Sequence, residues 1–234
     1  MSAAGGYPIS ADEAEERAFI VEVYRWMTGG LALTGGVALY MAAHPASIVA
    51  LTSNRVLFYG LLIVEVLAVF GLAAFVRRMS SATASFVFLG YAALNGVTLS
   101  SIFLVYTQSS IANAFFVTAG TFAAMSLYGW MTKTDLTSLG NILFMALIGL
   151  VIASFANMFF RSSTMYWITT YAGVLIFTGL TAYDTQKIKG MLNPSDEGTD
   201  METKEAISGA LALYLDFINL FLDILQIMGQ QRES

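Results

Sequence analysis

Apolar residues along this chain fall in seven long runs separated by short polar breaks, at roughly 22–43, 55–76, 82–106, 109–131, 139–160, 165–186 and 206–228. A run of about 20 residues matches a hydrocarbon core of about 30 Å. In lipid the backbone must satisfy its own polar groups, so each run predicts a helix rather than an open strand. The breaks are short, except for the stretch from Lys187 to Glu205. The expectation is an all-α, polytopic membrane protein with a seven-helix domain over 22–229. A tail over 1–21 precedes it and a short tail over 230–234 follows it.

Composition agrees with this pattern. Of the 234 residues, 57% are hydrophobic and only 12% are charged, whereas a soluble domain carries about 25% charged residues. The chain has no cysteine, which excludes a disulfide framework and a thiolate metal site. The net charge of −5 leaves no basic face for nucleic acid. The N-terminal tail is polar and acidic and lacks the pattern of a cleavable signal. Within it Ser10-Ala11-Asp12-Glu13 fits a capping box, so a helix at the membrane interface is expected to lead into the first span.

The basic residues predict an orientation. The N-terminal side receives Arg17, Arg25, Arg77, Arg78, Lys133, Lys187, Lys189 and Lys204, and the opposite side receives Arg55, Arg161 and Arg232. That bias of 8 against 3 predicts a cytoplasmic N-terminus. With seven spans the C-terminus then lies outside; a re-entrant last segment would return it to the inside. Small residues recur within the spans, at Gly29, Gly30, Gly35 and Gly36 and at Ala119, Gly120, Ala123 and Ala124. They predict closely packed helices.

Ionisable side chains within spans cost roughly 2.5–3.5 kcal/mol each on insertion scales, so their positions carry information. On the last segment Asp216, Asn219, Asp223 and Gln226 are separated by 3, 4 and 3 residues and share one helix face. A single polar stripe on an apolar helix predicts a polar partner or water, as an ion path or as a hydrogen-bonded seam. Asp184 closes the sixth segment, near Lys187 and Lys189. Glu65 lies about 15 Å deep in the second segment, amid apolar neighbours. Arg77 and Arg78 end that segment on the side of Asp184, where a guanidinium can hold a carboxylate through two bonds. Straight helices would put Asp184 and Asp216 about 10–15 Å apart in depth, unless the sixth helix runs past Asp184 or the seventh begins late. The lone histidine, His44, precedes Pro45 in an expected loop. No H-E-x-x-H, G-x-S-x-G, Walker or Rossmann signature is present, so no enzyme is expected.

At these residues the sequence resembles the Bax inhibitor-one family, in its bacterial inner-membrane branch. The resemblance spans about Val21 to Gly229. It is carried by Val23-Tyr24-Arg25-Trp26-Met27-Thr28, Ala93-Leu94-Asn95-Gly96-Val97-Thr98-Leu99-Ser100, Phe122-Ala123-Ala124-Met125-Ser126-Leu127-Tyr128-Gly129, Gly179-Leu180-Thr181-Ala182-Tyr183-Asp184-Thr185-Gln186 and Tyr214-Leu215-Asp216-Phe217-Ile218-Asn219-Leu220-Phe221. Thr98-Leu99-Ser100-Ser101 departs from the Leu-Gly-Pro stretch of animal members. The resemblance implies a seventh helix surrounded by the other six, in the inner (plasma) membrane. It also implies a pH-sensitive calcium leak. In that picture Asp184 and Asp216 share a proton and sense pH, and Arg77 or Arg78 latches them in the closed state.

Two close carboxylates in low dielectric cannot both ionise easily, so such a pair titrates as a unit. Calcium passing through would touch Asp184 and Asp216 weakly and transiently, with Glu65, Asn219 and Asp223 lining the path. The resemblance implies calcium as the permeant ion, and no cofactor is expected to be tightly bound. Beyond lipid, calcium and protons, the second reading is a non-conducting regulatory protein that binds a membrane protease or stress complex through the acidic loop from Asn193 to Glu205. The third is a proton-coupled transporter, which would ordinarily show an inverted repeat with interrupted helices; none is evident.

Overall fold

The computed structural model describes residues 11–191 and 199–231, with side chains from residue 15 onward. Ser10 of the capping box, residues 193–198 of the acidic loop and Arg232 lie outside the described residues. The described residues form nine α-helices: α1 (Ala11–Ala42), α2 (Pro45–Ser53), α3 (Arg55–Phe75), α4 (Ser81–Leu99), α5 (Ile102–Val105), α6 (Gln108–Met131), α7 (Thr137–Phe160), α8 (Ser163–Lys189) and α9 (Asp200–Met228). A 3-10 turn over Val76–Arg78 ends α3. Five helices begin at polar caps. Asn54, Ser80, Thr107, Ser162 and Thr199 each accept a backbone N–H from the first turn, which satisfies donors that would otherwise be stranded.

Six helical segments among the described residues are long and apolar enough to cross a membrane, and α1 with α2 makes a bent seventh. This is a polytopic membrane protein. α1 runs without a break from Ala11, through the boundary expected at residue 21. The stretch after His44, expected as loop, is the helix α2, folded back at 96° to α1. Pro45 opens it, since its missing N–H costs nothing in a first turn, and Ile48 and Leu51 bury one side of it. α4 and α5 form one span broken at Ser100 and Ser101. Both hydroxyls donate to backbone carbonyls, of Val97 and Thr98, competing with the helix ladder.

α9 is the central helix. It packs against α1, α4, α6 and α8, and Ile207, Leu213, Tyr214, Leu220 and Leu225 are fully buried along it. Two spans sit farther out. α7 packs chiefly on α8 and α3 chiefly on α4. Their outward faces carry exposed Val66, Phe70, Ile152, Phe155 and Phe159, as lipid contact requires.

The small residues divide into two groups. At Gly129 an added Cβ would run into the backbone of Ala182, so α6 and α8 touch through that glycine. Gly29, Gly35, Gly36 and Gly120 have nothing within 4 Å of such a Cβ. Gly35 and Gly36 line an apolar groove of about 1320 Å³ that runs between α1 and α6 to Phe217, Ile218 and Phe221 of α9. Gly129→Val is therefore expected to destabilise the purified protein by about 3 kcal/mol or more, because backbone cannot yield as a side chain can. Gly120→Ala should leave thermal stability in detergent within about 0.5 kcal/mol of wild type.

Candidate functional site: a carboxylate-lined cavity between the last two helices

α8 and α9 run antiparallel, and four contacts define their register. Ile188 meets Gly209, Asp184 meets Asp216, Gly173 meets Asp223, and Thr170 Oγ1 donates to Gln226 Oε1 at 3.1 Å. α8 continues past Asp184 to Lys189, and α9 begins at Asp200. The first turns of α9 thus overhang the end of α8 by roughly two turns. The overhang removes the depth difference expected between the two aspartates. Its signal stood in the sequence: Thr199 caps the helix, and Asp200 and Glu202 occupy its first turn, where carboxylates suit the helix dipole. Hydrophobicity alone placed the start at 206.

A cavity of about 1220 Å³ opens along this contact, between α3, α7, α8 and α9. All four stripe residues, Asp216, Asn219, Asp223 and Gln226, line it, and so does Asp184. α7 contributes Asn141, Ser154 and Asn157; α3 contributes only Val69 and Ala73. Asp216 is 4% exposed. Its Oδ2 is buried without a hydrogen-bond partner, and the Asp184 carboxyl lies within hydrogen-bonding reach of it. Lys187, one turn from Asp184 on α8, is the one basic residue lining the cavity.

The remaining residues of the Asp184 stretch serve packing. Tyr183 lies against Gly140 of α7 and Gly179 against Leu143. Thr181 and Thr185 donate to their own helix, to the carbonyls of Phe177 and Thr181. Gln186 pins the α6–α7 connection, accepting Leu136 N–H at 2.8 Å and donating to Thr134 O at 2.8 Å.

Glu65 does not reach this cavity. It is buried between α3 and α4, where Thr98 Oγ1 donates to it at 2.8 Å. Beside it Asn95 Oδ1 accepts from Tyr214 OH at 3.2 Å, and Tyr214 OH meets Thr34 Oγ1 at 2.7 Å. The result is a polar seam joining α3, α4, α9 and α1 on the face of α9 away from Asp216. Tyr214 and Asp216 are two residues apart and so point to opposite sides of the helix. The seam was missed in the sequence because its hydroxyls and amide are scattered over three spans.

Neither arginine reaches the aspartates in this conformation. Arg77 Nη2 lies 3.2 Å from Glu205 Oε1, at the overhanging start of α9, and Arg78 is exposed. Lys204 Nζ donates to the Arg77 carbonyl at 3.5 Å, and Ser81 Oγ donates to Asp200 at 3.0 Å. The α3–α4 turn is thereby tied to the first turns of α9. Glu205 precedes Asp216 by three helical turns on the same face of α9. Among the described residues, no group of three or more His, Cys, Asp or Glu is placed to hold a metal ion.

The chain is similar to known proteins over nearly its whole length. The family model described as inhibitor of apoptosis-promoting Bax1 matches residues 16–233. The chain belongs to the Bax inhibitor-one family. Inner membrane protein YbhL of Escherichia coli is 51% identical over 215 residues, covering 92% of each chain. An uncharacterized protein of Borreliella burgdorferi is 45% identical over 217 residues, 92% of this chain and 93% of that one. A protein of Deinococcus radiodurans is 41% identical over 217 residues, 93% and 92%. The bacterial branch of the Bax inhibitor-one family is thus represented over nearly the whole seven-helix domain.

In this Bax inhibitor-one protein the Arg77–Glu205 contact is an ion pair with one exposed and one buried partner. A double-mutant cycle with Arg77→Gln and Glu205→Gln, read by thermal stability in detergent, should give a coupling of about 1 kcal/mol. A coupling of zero would show that the pair does not help to hold α9 against the α3–α4 turn.

Proposed function

We propose that this protein is a proton-gated leak for calcium across the bacterial inner membrane, with its N-terminus in the cytoplasm and with Asp184 and Asp216 as the gate. The observation that carries the reading is the orphaned Asp216 Oδ2. It is buried without a protein donor, and its carboxyl neighbour is Asp184. A buried acceptor left unsatisfied is costly. A proton carried on one of the two carboxyls supplies the missing hydrogen and removes the like-charge repulsion between them. The apposed α8 and α9 then belong to the protonated, closed state. Loss of the proton places two negative charges side by side and drives the helices apart.

The groups facing this pair are few. On α8 there is Lys187, and farther along α9 there is Asp223; α7 and α3 present no charged side chain to the cavity. The polar stripe on α9 continues from Asp216 through Asn219 and Asp223 to Gln226, offering oxygen ligands suited to a hard cation. Arg77, tied to Glu205, is the candidate for holding α9 in register, in place of a direct latch on the aspartates. The membrane assignment draws on the E. coli relative, whose name places that protein in the inner membrane.

A second reading is favoured by the groove between α1 and α6. An apolar channel along two spans suits a membrane protein partner, as a non-conducting regulator would need.

Calcium flux into proteoliposomes, measured against pH, tests the leak. The wild type should pass less calcium as the pH falls and the pair takes up its proton. Asp184→Asn and Asp216→Asn should each flatten that pH dependence, since an amide cannot exchange the shared proton. Unchanged pH dependence in both variants would remove the gate assignment, and absence of flux in the wild type would favour the regulator.

A further inference from the structure

The far end of the cavity holds a carboxylate that the gate does not use. Asp223 lies two turns along α9 from Asp216, and its Oδ2 is packed directly against Gly173 of α8, so that a Cβ at that position would collide with it. α8 therefore provides a cradle that only glycine leaves open. The neighbouring oxygens are also placed by the fold. Asn219 donates its amide Nδ2 to Leu215 O at 2.7 Å, which leaves its Oδ1 as a free acceptor. Gln226 Oε1 accepts from Thr170 at 3.1 Å and retains a second lone pair. Asn219, Asp223 and Gln226 all line the cavity, and the basic lining residue, Lys187, is at its other end beside Asp184.

We propose that Asp223, seated in the Gly173 cradle and flanked by Asn219 and Gln226, is a weak divalent-cation station separate from the aspartate gate. One carboxylate and two amide oxygens are hard donors of the kind calcium takes, and they fill only part of its six to eight positions. Water completes the shell, so the ion is held loosely and can leave, as conduction requires. The assignment deepens the leak reading and rests on it for its role, but binding can be read without flux.

The structure offers the probe. Tyr166 lines the cavity, and Trp167 packs on it with ring centroids 5.4 Å apart. Terbium(III), a hard cation of similar coordination, emits on excitation of a nearby tryptophan or tyrosine. Purified protein titrated with terbium should show a saturable sensitised emission that calcium displaces. Asp223→Asn should abolish that component. Gly173→Ala should weaken it by crowding out the carboxylate, and Trp167→Phe should dim it. The Asp184→Asn, Asp216→Asn double variant should retain it.

Emission that survives Asp223→Asn, or that is lost in the gate double variant, overturns the station. So does undiminished terbium binding by a Gly173→Ala protein that keeps wild-type thermal stability. Calcium flux on the same preparations separates the two claims. A terbium site without flux keeps the station and removes the leak, and flux without a terbium site does the reverse.

Discussion

A carboxylate within a membrane must face protein or water, and this single constraint orders the structure around α9. That helix carries Asp216 and Asp223 in its apolar length, and lipid on either would cost several kcal/mol. The fold surrounds α9 with α1, α4, α6 and α8 and assigns its two faces to different tasks. Ile207, Tyr214 and Leu225 fill the core on one side. Asp216, Asn219, Asp223 and Gln226 face a cavity on the other. α3 and α7 stand outside and line the far wall of that cavity.

Antiparallel register then determines which groups meet. Because α9 starts well beyond the end of α8, a mid-helix aspartate comes level with one near a helix terminus. The same register places Gly173 under Asp223 and Thr170 beside Gln226. The overhanging turns of α9 are held by Arg77 and Ser81, so the α3–α4 turn sets the position of the helix that carries the stripe. The proposed gate and its support are in this way parts of one packing arrangement.

Much of this was legible along the chain, for definite reasons. Span positions follow from hydrocarbon thickness, and the α9 stripe follows from helical spacing, because both are local. The bend into α2 was obscured by the usual association of Pro45 with loops, although proline is equally suited to a first helical turn. The position of Glu65 was not legible, since its polar surroundings come from Thr98 and Asn95 on another helix. Nor was the partner of Arg77, which depends on how far α9 overhangs. Glycines were the least informative residues: Gly129 and Gly173 make contacts that exclude a side chain, whereas Gly35 and Gly120 face open space, and no local pattern distinguishes them.

The central claim is that Asp184 and Asp216 hold one proton between them in the closed protein. Infrared difference spectroscopy of the protein in lipid, recorded across a pH titration, reads protonated carboxyl groups directly. The account predicts a carboxylic-acid band that disappears on deprotonation and is lost or shifted in both Asp184→Asn and Asp216→Asn, because either substitution breaks the shared site. A band that persists unchanged in both variants, or its absence from the wild type at every pH, would contradict it.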